Sequence, residues 1–332
     1  MQGPFIVRRI GPWHRGARGG VGSQSTYRED MTAHIASGND TGADAGSGAG
    51  VGRPWTLADC RDWIFVPGAS DDKYSRGVLG VVTGSDEYPG AAVLGVEAAA
   101  RTGVGMVRYV GDDVPAAQVL QRRPETVTAS GRVQAWLLGS GMDAAHRDPT
   151  NAHRLHAALS DGVPCVIDAG ALDLIGQASG PVVITPHYRE LARVLAAAGA
   201  SPSAESIAQD ARGWARRAAD ATGVSVLLKG HVTHVCAPGG EVIDVSTGPR
   251  AGWLATAGSG DVLGGILGAL VATHAAPVAE QGHDALAALA ATAAALHGAA
   301  AGAASERNGG GPITALDVAD AMPGVVGAVL SS

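Results

Sequence analysis

From residue 54 onward, apolar positions fall into two alternating patterns. Short runs rich in Val, Leu and Ile, apolar at successive positions, occupy 78–83, 104–110, 135–138, 163–167, 182–184, 224–228, 232–237 and 241–245. Between most of them lie segments with helical spacing, at 91–101, 151–159, 189–198 and 204–221. Three more helices are expected near 262–274, 284–304 and 315–329. Strands that are apolar on both faces and separated by helices build a parallel sheet covered on both sides. The runs 232–237 and 241–245, joined by Pro238-Gly239-Gly240, break that rhythm and are expected to pair as a hairpin. The expected fold class is α/β: a single doubly wound, mostly parallel sheet with helices on both faces. Ligands are then expected at the carboxyl ends of the strands.

Composition refines this picture. The chain has 332 residues, with 49 glycines and only 4% aromatic residues, so the helices must pack closely through small side chains. Residues 32–53 are rich in Gly, Ala, Ser and Asp and nearly free of large aliphatics, too little apolar surface to offset the entropy of ordering. Residues 1–53 are therefore expected to be a disordered low-complexity extension, with Met31 an alternative start, ahead of one domain at 54–332. Arg8, Arg9, Arg15 and Arg18 faintly resemble a transit peptide, but no apolar signal core or clear amphipathic helix accompanies them.

A net charge of −7 excludes the basic field usual in nucleic-acid binders. Cys60, Cys165 and Cys236 form no C-x-x-C pair, which points to a reducing, cytoplasmic setting without a disulfide framework or zinc ribbon. The uncharged stretch 285–304 is long enough to span a bilayer, yet it is mostly alanine and carries Thr292, His297, Gly298 and Gly302. A buried, tightly packed helix is expected there, with no membrane span.

Candidate chemistry collects at predicted strand ends. Gly258-Ser259-Gly260-Asp261 precedes the apolar run 262–271 and reads as a glycine loop entering a helix. A helix start offers unpaired N–H groups and the positive end of the helix dipole to an anion. Asp261 at its mouth is either a helix-start carboxylate or a general base beside a phosphate cradle. Thr83-Gly84-Ser85 and Gly139-Ser140-Gly141 each follow a strand and could line one cleft. Asp168 ends a buried run and is either a cap or a carboxylate facing the crevice. Thr185 can cap the next helix. His187 and Glu190 could meet on its first turn, as a ligand contact, a structural pair or, with no third ligand evident, a poor metal pair. Lys229-Gly230 ends another strand, from which a lysine can extend its charge into the crevice. His231 and His234 are expected on opposite strand faces, with His231 and Thr233 sharing one.

Taken in order, several motifs resemble the ADP-dependent NAD(P)H-hydrate dehydratases of the ribokinase-like superfamily. They are Lys73-Tyr74-Ser75-Arg76-Gly77, Gly84-Ser85 with Tyr88-Pro89-Gly90-Ala91-Ala92, Val166 to Leu172, Thr185-Pro186-His187-x-x-Glu190, Lys229-Gly230-x-x-Thr233 and Gly258-x-Gly260-Asp261. The resemblance covers about residues 55–330. It implies that ADP phosphorylates the C6 hydroxyl of a hydrated nicotinamide, and that phosphate loss then restores NADH or NADPH. On this resemblance Asp261 is the base, and the backbone N–H groups of Gly258, Ser259 and Gly260 form the anion hole. Lys229, Gly230, His231, Val232, Thr233 and Gly260 match the ADP segment; Ala91, Gly141 and His187, with Asp261, match contacts to the hydrated dinucleotide.

The resemblance further implies Mg²⁺ with the ADP co-substrate, although no protein ligand set for it is evident. It also implies a homo-oligomer, commonly a homotetramer, for which helix 285–304 could supply close contacts. The epimerase domain fused in some relatives is not expected here, so a separate epimerase would act alongside. Departures from the family pattern are Thr83 for Ala, Ser140 for Pro, Tyr188-Arg189 for Pro-Gly, and Thr247-Gly248-Pro249-Arg250 for Thr-Gly-Asn. A small-molecule kinase of the same superfamily would share Gly-x-Gly-Asp, and a catalytically silent nucleotide-binding regulator is the third possibility. The intact Asp261 and Lys229 weigh against the regulator.

Overall fold

Each apolar run becomes a strand because both of its faces are covered. A computed structural model describes residues 52–332, so all but the last two residues of the expected extension at 1–53 lie outside the described residues. Arg53–Pro54 already form a short strand, β1. The others are β2 (Val78–Val82), β3 (Met106–Tyr109), β4 (Ala135–Leu138), β5 (Cys165–Ile167), β6 (Val182–Ile184), β7 (Ser225–Leu228), β8 (Val232–Cys236) and β9 (Ile243–Ser246). They form one sheet in the order β1-β9-β8-β7-β6-β5-β4-β2-β3. The ladders from β3 through β7 are parallel, whereas β8 runs antiparallel to both β7 and β9, as the expected hairpin requires.

The helices are α1 (Leu57–Cys60), α2 (Pro89–Thr102), α3 (Asp113–Arg122), α4 (Pro149–Ser160), α5 (Tyr188–Ala197), α6 (Ala204–Gln209) and α7 (Ala211–Thr222). After the hairpin come α8 (Ser259–Thr273), α9 (Ala275–Gln281), α10 (His283–Arg307) and α11 (Ala315–Ser331). Alternate strand residues sort onto two cores. Leu79, Val81, Leu137, Val166, Val183 and Leu227 face α2, α8, α10 and α11. Val78, Val82, Leu138, Ile167, Ile184 and Leu228 face α4, α5, α6 and α7.

Small residues set the spacing that the site depends on. A Cβ at Gly265 of α8 would lie 2.2 Å from the carbonyl oxygen of Gly95 on α2, so these helices touch backbone to backbone. Arginines from α2, α3 and the residue after it converge on Glu97 of α2, which is fully buried. Helix α10 is long and apolar enough to cross a membrane, but 89% of its apolar window is buried within this fold. Its Ala and Gly faces pack inside the chain, against α8, α11 and the sheet. The three cysteines are free and buried.

Some boundaries differ from expectation, for local reasons. The helix expected over 204–221 breaks at Asp210, whose side chain accepts the Gly213 N–H and starts α7 afresh. Helix α3 was not foreshadowed by the apolar pattern, because only Pro115 and Val119 of its ten residues are buried. The last strand begins at Ile243, after the turn closed by Gly240 N–H donating to Ala237. Thr185 does not cap α5. That role falls to His187, and the Thr185 hydroxyl is buried without a partner.

Candidate active site

The strand order reverses at β2, which has β3 on one side and β4 on the other. In open α/β sheets such a switch point opens a crevice at the carboxyl ends of the strands. Here the loops after β2 and β4 are joined by the Gly84 N–H donating to the Ser140 carbonyl at 2.7 Å. Gly141, with φ +68°, has no room for a side chain: a Cβ there would lie 2.4 Å from that of Ala91 and 3.0 Å from the Tyr88 carbonyl. Gly84, Ala91 and Gly141, distant in sequence, thus form one surface of small residues.

Neighbouring strand ends supply charge. Asp168 follows β5 and does not cap the 3-10 segment Ala169–Gln177; its carboxylate accepts from Lys229 Nζ at 3.1 Å and from Ser140 Oγ at 3.2 Å. Ala169 must take a left-handed conformation, φ 45°, to turn the chain directly after it. Lys229 ends the run of β7, and its Nζ also lies 3.8 Å from Glu190 Oε2. The ammonium expected to extend into the crevice is held there by two carboxylates; burial lowers its pKa, and their charges outweigh that and raise it. His187 and Glu190 do meet on a first helical turn. His187 Nδ1 accepts the Glu190 N–H, and Glu190 Oε2 accepts the His187 N–H. This reciprocal cap explains their spacing without a metal ion. His231 lies in the turn before β8, outside the strand pattern, and His234 pairs with Asp244 at 2.7 Å.

Helix α8 brings the glycine loop to this cluster. Gly258 (φ +86°) precedes the helix in the left-handed region, packed so closely on Leu94 that a Cβ would lie 2.4 Å away. The Ser259 N–H makes a long bond to the Thr256 carbonyl, 3.4 Å, and that of Val262 donates to Gly258. The N–H groups of Gly258, Gly260 and Asp261 carry no backbone hydrogen bond among the described residues. They remain available to an anion at the positive end of a 15-residue helix. A Cβ at Gly260 would lie 3.6 Å from Lys229 Nζ, so the ammonium and these amides converge. Asp261, in the first turn, has its pKa pushed up to about 6 by burial and by the Asp168 charge, against the opposing effect of Lys229. A carboxylate tuned upward beside a cation and open amides can take a proton near neutral pH.

Next to this cluster lies a cavity of about 660 Å³. Lys229, Gly230, His231, Thr233 and Gly260 line it, as the matched nucleotide segment implies. Val232 opens β8 and does not line it, while His187 does. Thr247, from the segment that departs from the family pattern, also lines it, whereas sequence reasoning did not anticipate Thr256, Leu263, Ala294 and His297. Among the described residues, no cluster of three or more His, Cys, Asp or Glu could hold a metal ion. An ion bound here would have to be carried largely by phosphate oxygens and water, the usual pattern for Mg²⁺ with a nucleotide.

The doubly wound sheet is similar in fold to solved structures of the ribokinase-like class, and it carries a glycine helix start, a half-buried lysine and an aspartate of raised pKa at its strand ends. Within that class the chain belongs to the NAD(P)H-hydrate dehydratase family, whose Carb_kinase profile matches residues 79–323. It is 44% identical over 220 residues to the bifunctional NAD(P)H-hydrate repair enzyme Nnr of Mycobacterium tuberculosis, covering 63% of this chain and 43% of that one. It is 33% identical over 227 residues to the ADP-dependent (S)-NAD(P)H-hydrate dehydratase of Neisseria meningitidis, covering 63% of this chain and 74% of that one. The chain spans less than half the length of the bifunctional relatives from Mycobacterium and Corynebacterium that it matches. In fold it is similar to an ADP/ATP-dependent NAD(P)H-hydrate dehydratase from Bacillus subtilis, crystallised with ATP and Mg²⁺. The TM-score is 0.71 at 22% identity, covering 85% of this chain and 100% of that one.

Proposed function

We propose that this chain repairs hydrated NADH or NADPH by ADP-dependent dehydration. Asp261 accepts the proton of the C6 hydroxyl as that oxygen attacks the β-phosphorus of ADP, and AMP leaves. Phosphate then departs from C6 while C5 gives up a proton, which restores the ring double bond. Phosphate leaves far more readily than hydroxide, so a kinase-type site can drive a dehydration. Lys229 and the open amides at the start of α8 offset charge on the transferred group. The cavity beside Gly260 takes the nucleotide, and the surface of Gly84, Ala91 and Gly141 takes the dinucleotide. Mg²⁺, bound with the nucleotide, neutralises phosphate charge.

The observation that carries this reading is Asp261, half-buried within the field of Lys229 at a helix start with free amides. The name of the Neisseria relative supplies the nucleotide and the substrate class. From the family resemblance we further infer a cytoplasmic homotetramer that acts together with an epimerase supplying the reactive epimer. The buried free thiols fit a reducing compartment. The test is incubation of hydrated NADH with ADP or ATP and Mg²⁺, following the return of reduced-nicotinamide absorbance. Return with a nucleotide and none without it is expected. No return with either, together with phosphorylation of a small alcohol, would replace this reading by a small-molecule kinase.

The Asp168 charge makes a further expectation. It helps burial to hold Asp261 above the ordinary value of 3.8, and Asp168→Asn removes that contribution. The base works only when ionised, so the acidic limb of kcat/KM, expected near pH 6 in the wild type, should move to lower pH in the variant. A limb that stays in place or moves upward would show that Asp168 does not tune the base.

A further inference from the structure

Helix α10 contributes one polar side chain to the nucleotide cavity, and it lies behind the glycine loop. His297 is 6% exposed in an otherwise apolar stretch of helix, and it shares the cavity wall with Ser259, Gly260 and Lys229. Its Nε2 lies 3.3 Å from Ser259 Oγ. Ser259 is itself 7% exposed and stands between the two glycines of the loop.

One residue further along α10, Gly298 presses on the other side of the cavity. A Cβ there would lie 2.6 Å from Cβ of Thr247, which also lines the cavity. A single turn of α10 therefore braces both the anion loop and the Thr247 loop. No other side chain among the described residues hydrogen-bonds to Gly258, Ser259 or Gly260. Glycines on either side leave this backbone with few conformational preferences of its own, so a fixed contact to Ser259 determines where the flanking N–H groups point.

We propose that His297 is a positioning residue for phosphoryl transfer, acting through Ser259 to hold the Gly258–Gly260 amides on the transferred group. The inference rests on the proposed function of this site. Burial and the nearby Lys229 charge hold the imidazole pKa down at about 4, so the ring is neutral at working pH. A neutral ring braces the loop without adding a second cation beside Lys229. Removing such a brace affects the transition state more than nucleotide binding, because the anion hole must fit the phosphoryl group in flight.

The test compares His297→Gln with His297→Asn, and His297→Leu with Ser259→Ala and the double variant, in the hydrated-NADH assay with ADP. Glutamine places its amide near the Nε2 position and asparagine falls short of it. Expected are near-wild-type kcat for the glutamine variant, kcat about tenfold lower for the asparagine and leucine variants, and a KM for ADP within about threefold throughout. The double variant should be no slower than the slower single variant, because both changes break one contact. Equal kcat for glutamine and asparagine, multiplying losses in the double variant, or a loss seen only in KM would overturn the proposal. If the leucine variant does not fold, the glutamine–asparagine comparison decides alone, since both are polar and their melting temperatures show whether folding is matched. Wild type run in parallel separates the two claims: an inactive wild type refutes the proposed function, whereas an active one with the wrong variant pattern refutes only the role of His297.

Discussion

Asp261→Asn should lower kcat by about 10²- to 10⁴-fold, the usual contribution of a general base, while ADP binds at least as tightly as to the wild type. Asparagine keeps the size and polarity of the side chain but cannot accept the hydroxyl proton. It also removes a negative charge from a cluster that must receive phosphates, so nucleotide affinity has no reason to fall. Steady-state kinetics with hydrated NADH and calorimetric titration with ADP separate the two effects. A variant with near-normal kcat would remove Asp261 from the chemistry. In the wild type, kcat/KM should rise through about pH 6 as Asp261 ionises and level off above it.

Glu97→Ala should cost about 3–5 kcal/mol of stability, the range found when one partner of a buried ion pair is removed. Glu97 is fully buried and bonds Arg101 at 2.5 Å, Arg122 at 3.0 Å and Arg123 at 2.5 Å, tying α2 to α3 and the residue beyond it. Burial alone would raise its pKa, but the three guanidinium hydrogen bonds outweigh that and hold it at about 2. Its folded pKa thus lies below the ordinary 4.5, so its contribution is present above pH 4.5 and is lost as pH falls towards 2. That difference corresponds to about 3 kcal/mol. Urea unfolding at neutral pH reads the alanine variant directly. Glu97→Gln should flatten the acid loss of stability between about pH 4.5 and 2. An unchanged unfolding midpoint for Glu97→Ala would show that the arginines are satisfied by water instead.

The sheet was legible because parallel strands covered on both faces leave unbroken apolar runs, as at 78–83 and 224–228. The hairpin was legible from Pro238-Gly239-Gly240. Helix α3 was not, since an edge helix that buries only two residues carries almost no periodicity. The break at Asp210 was hidden because a cap within an amphipathic run looks like one more polar position.

In the site, glycine loops and strand-end residues marked the crevice, since backbone approach and charge placement require those residue types. Which residues pair could not be read in the same way. The Lys229–Asp168 contact joins residues 61 positions apart, and the choice of His187 over Thr185 as the cap depends on where the chain turns after Pro186. His297 carried a signal that was read only as an argument against a membrane span. A lone histidine inside an alanine helix reveals a partner only when the helix is placed behind the loop it braces.

In the proposed reaction, phosphorylation serves elimination. The most direct test is the product balance of a single reaction with hydrated NADH, ADP and Mg²⁺, with nucleotides resolved by chromatography and phosphorus species by NMR. AMP, free phosphate and NADH are expected in equal amounts, with no stable phosphoester accumulating. A phosphorylated product that persists while AMP forms and NADH does not return would contradict the proposed reaction.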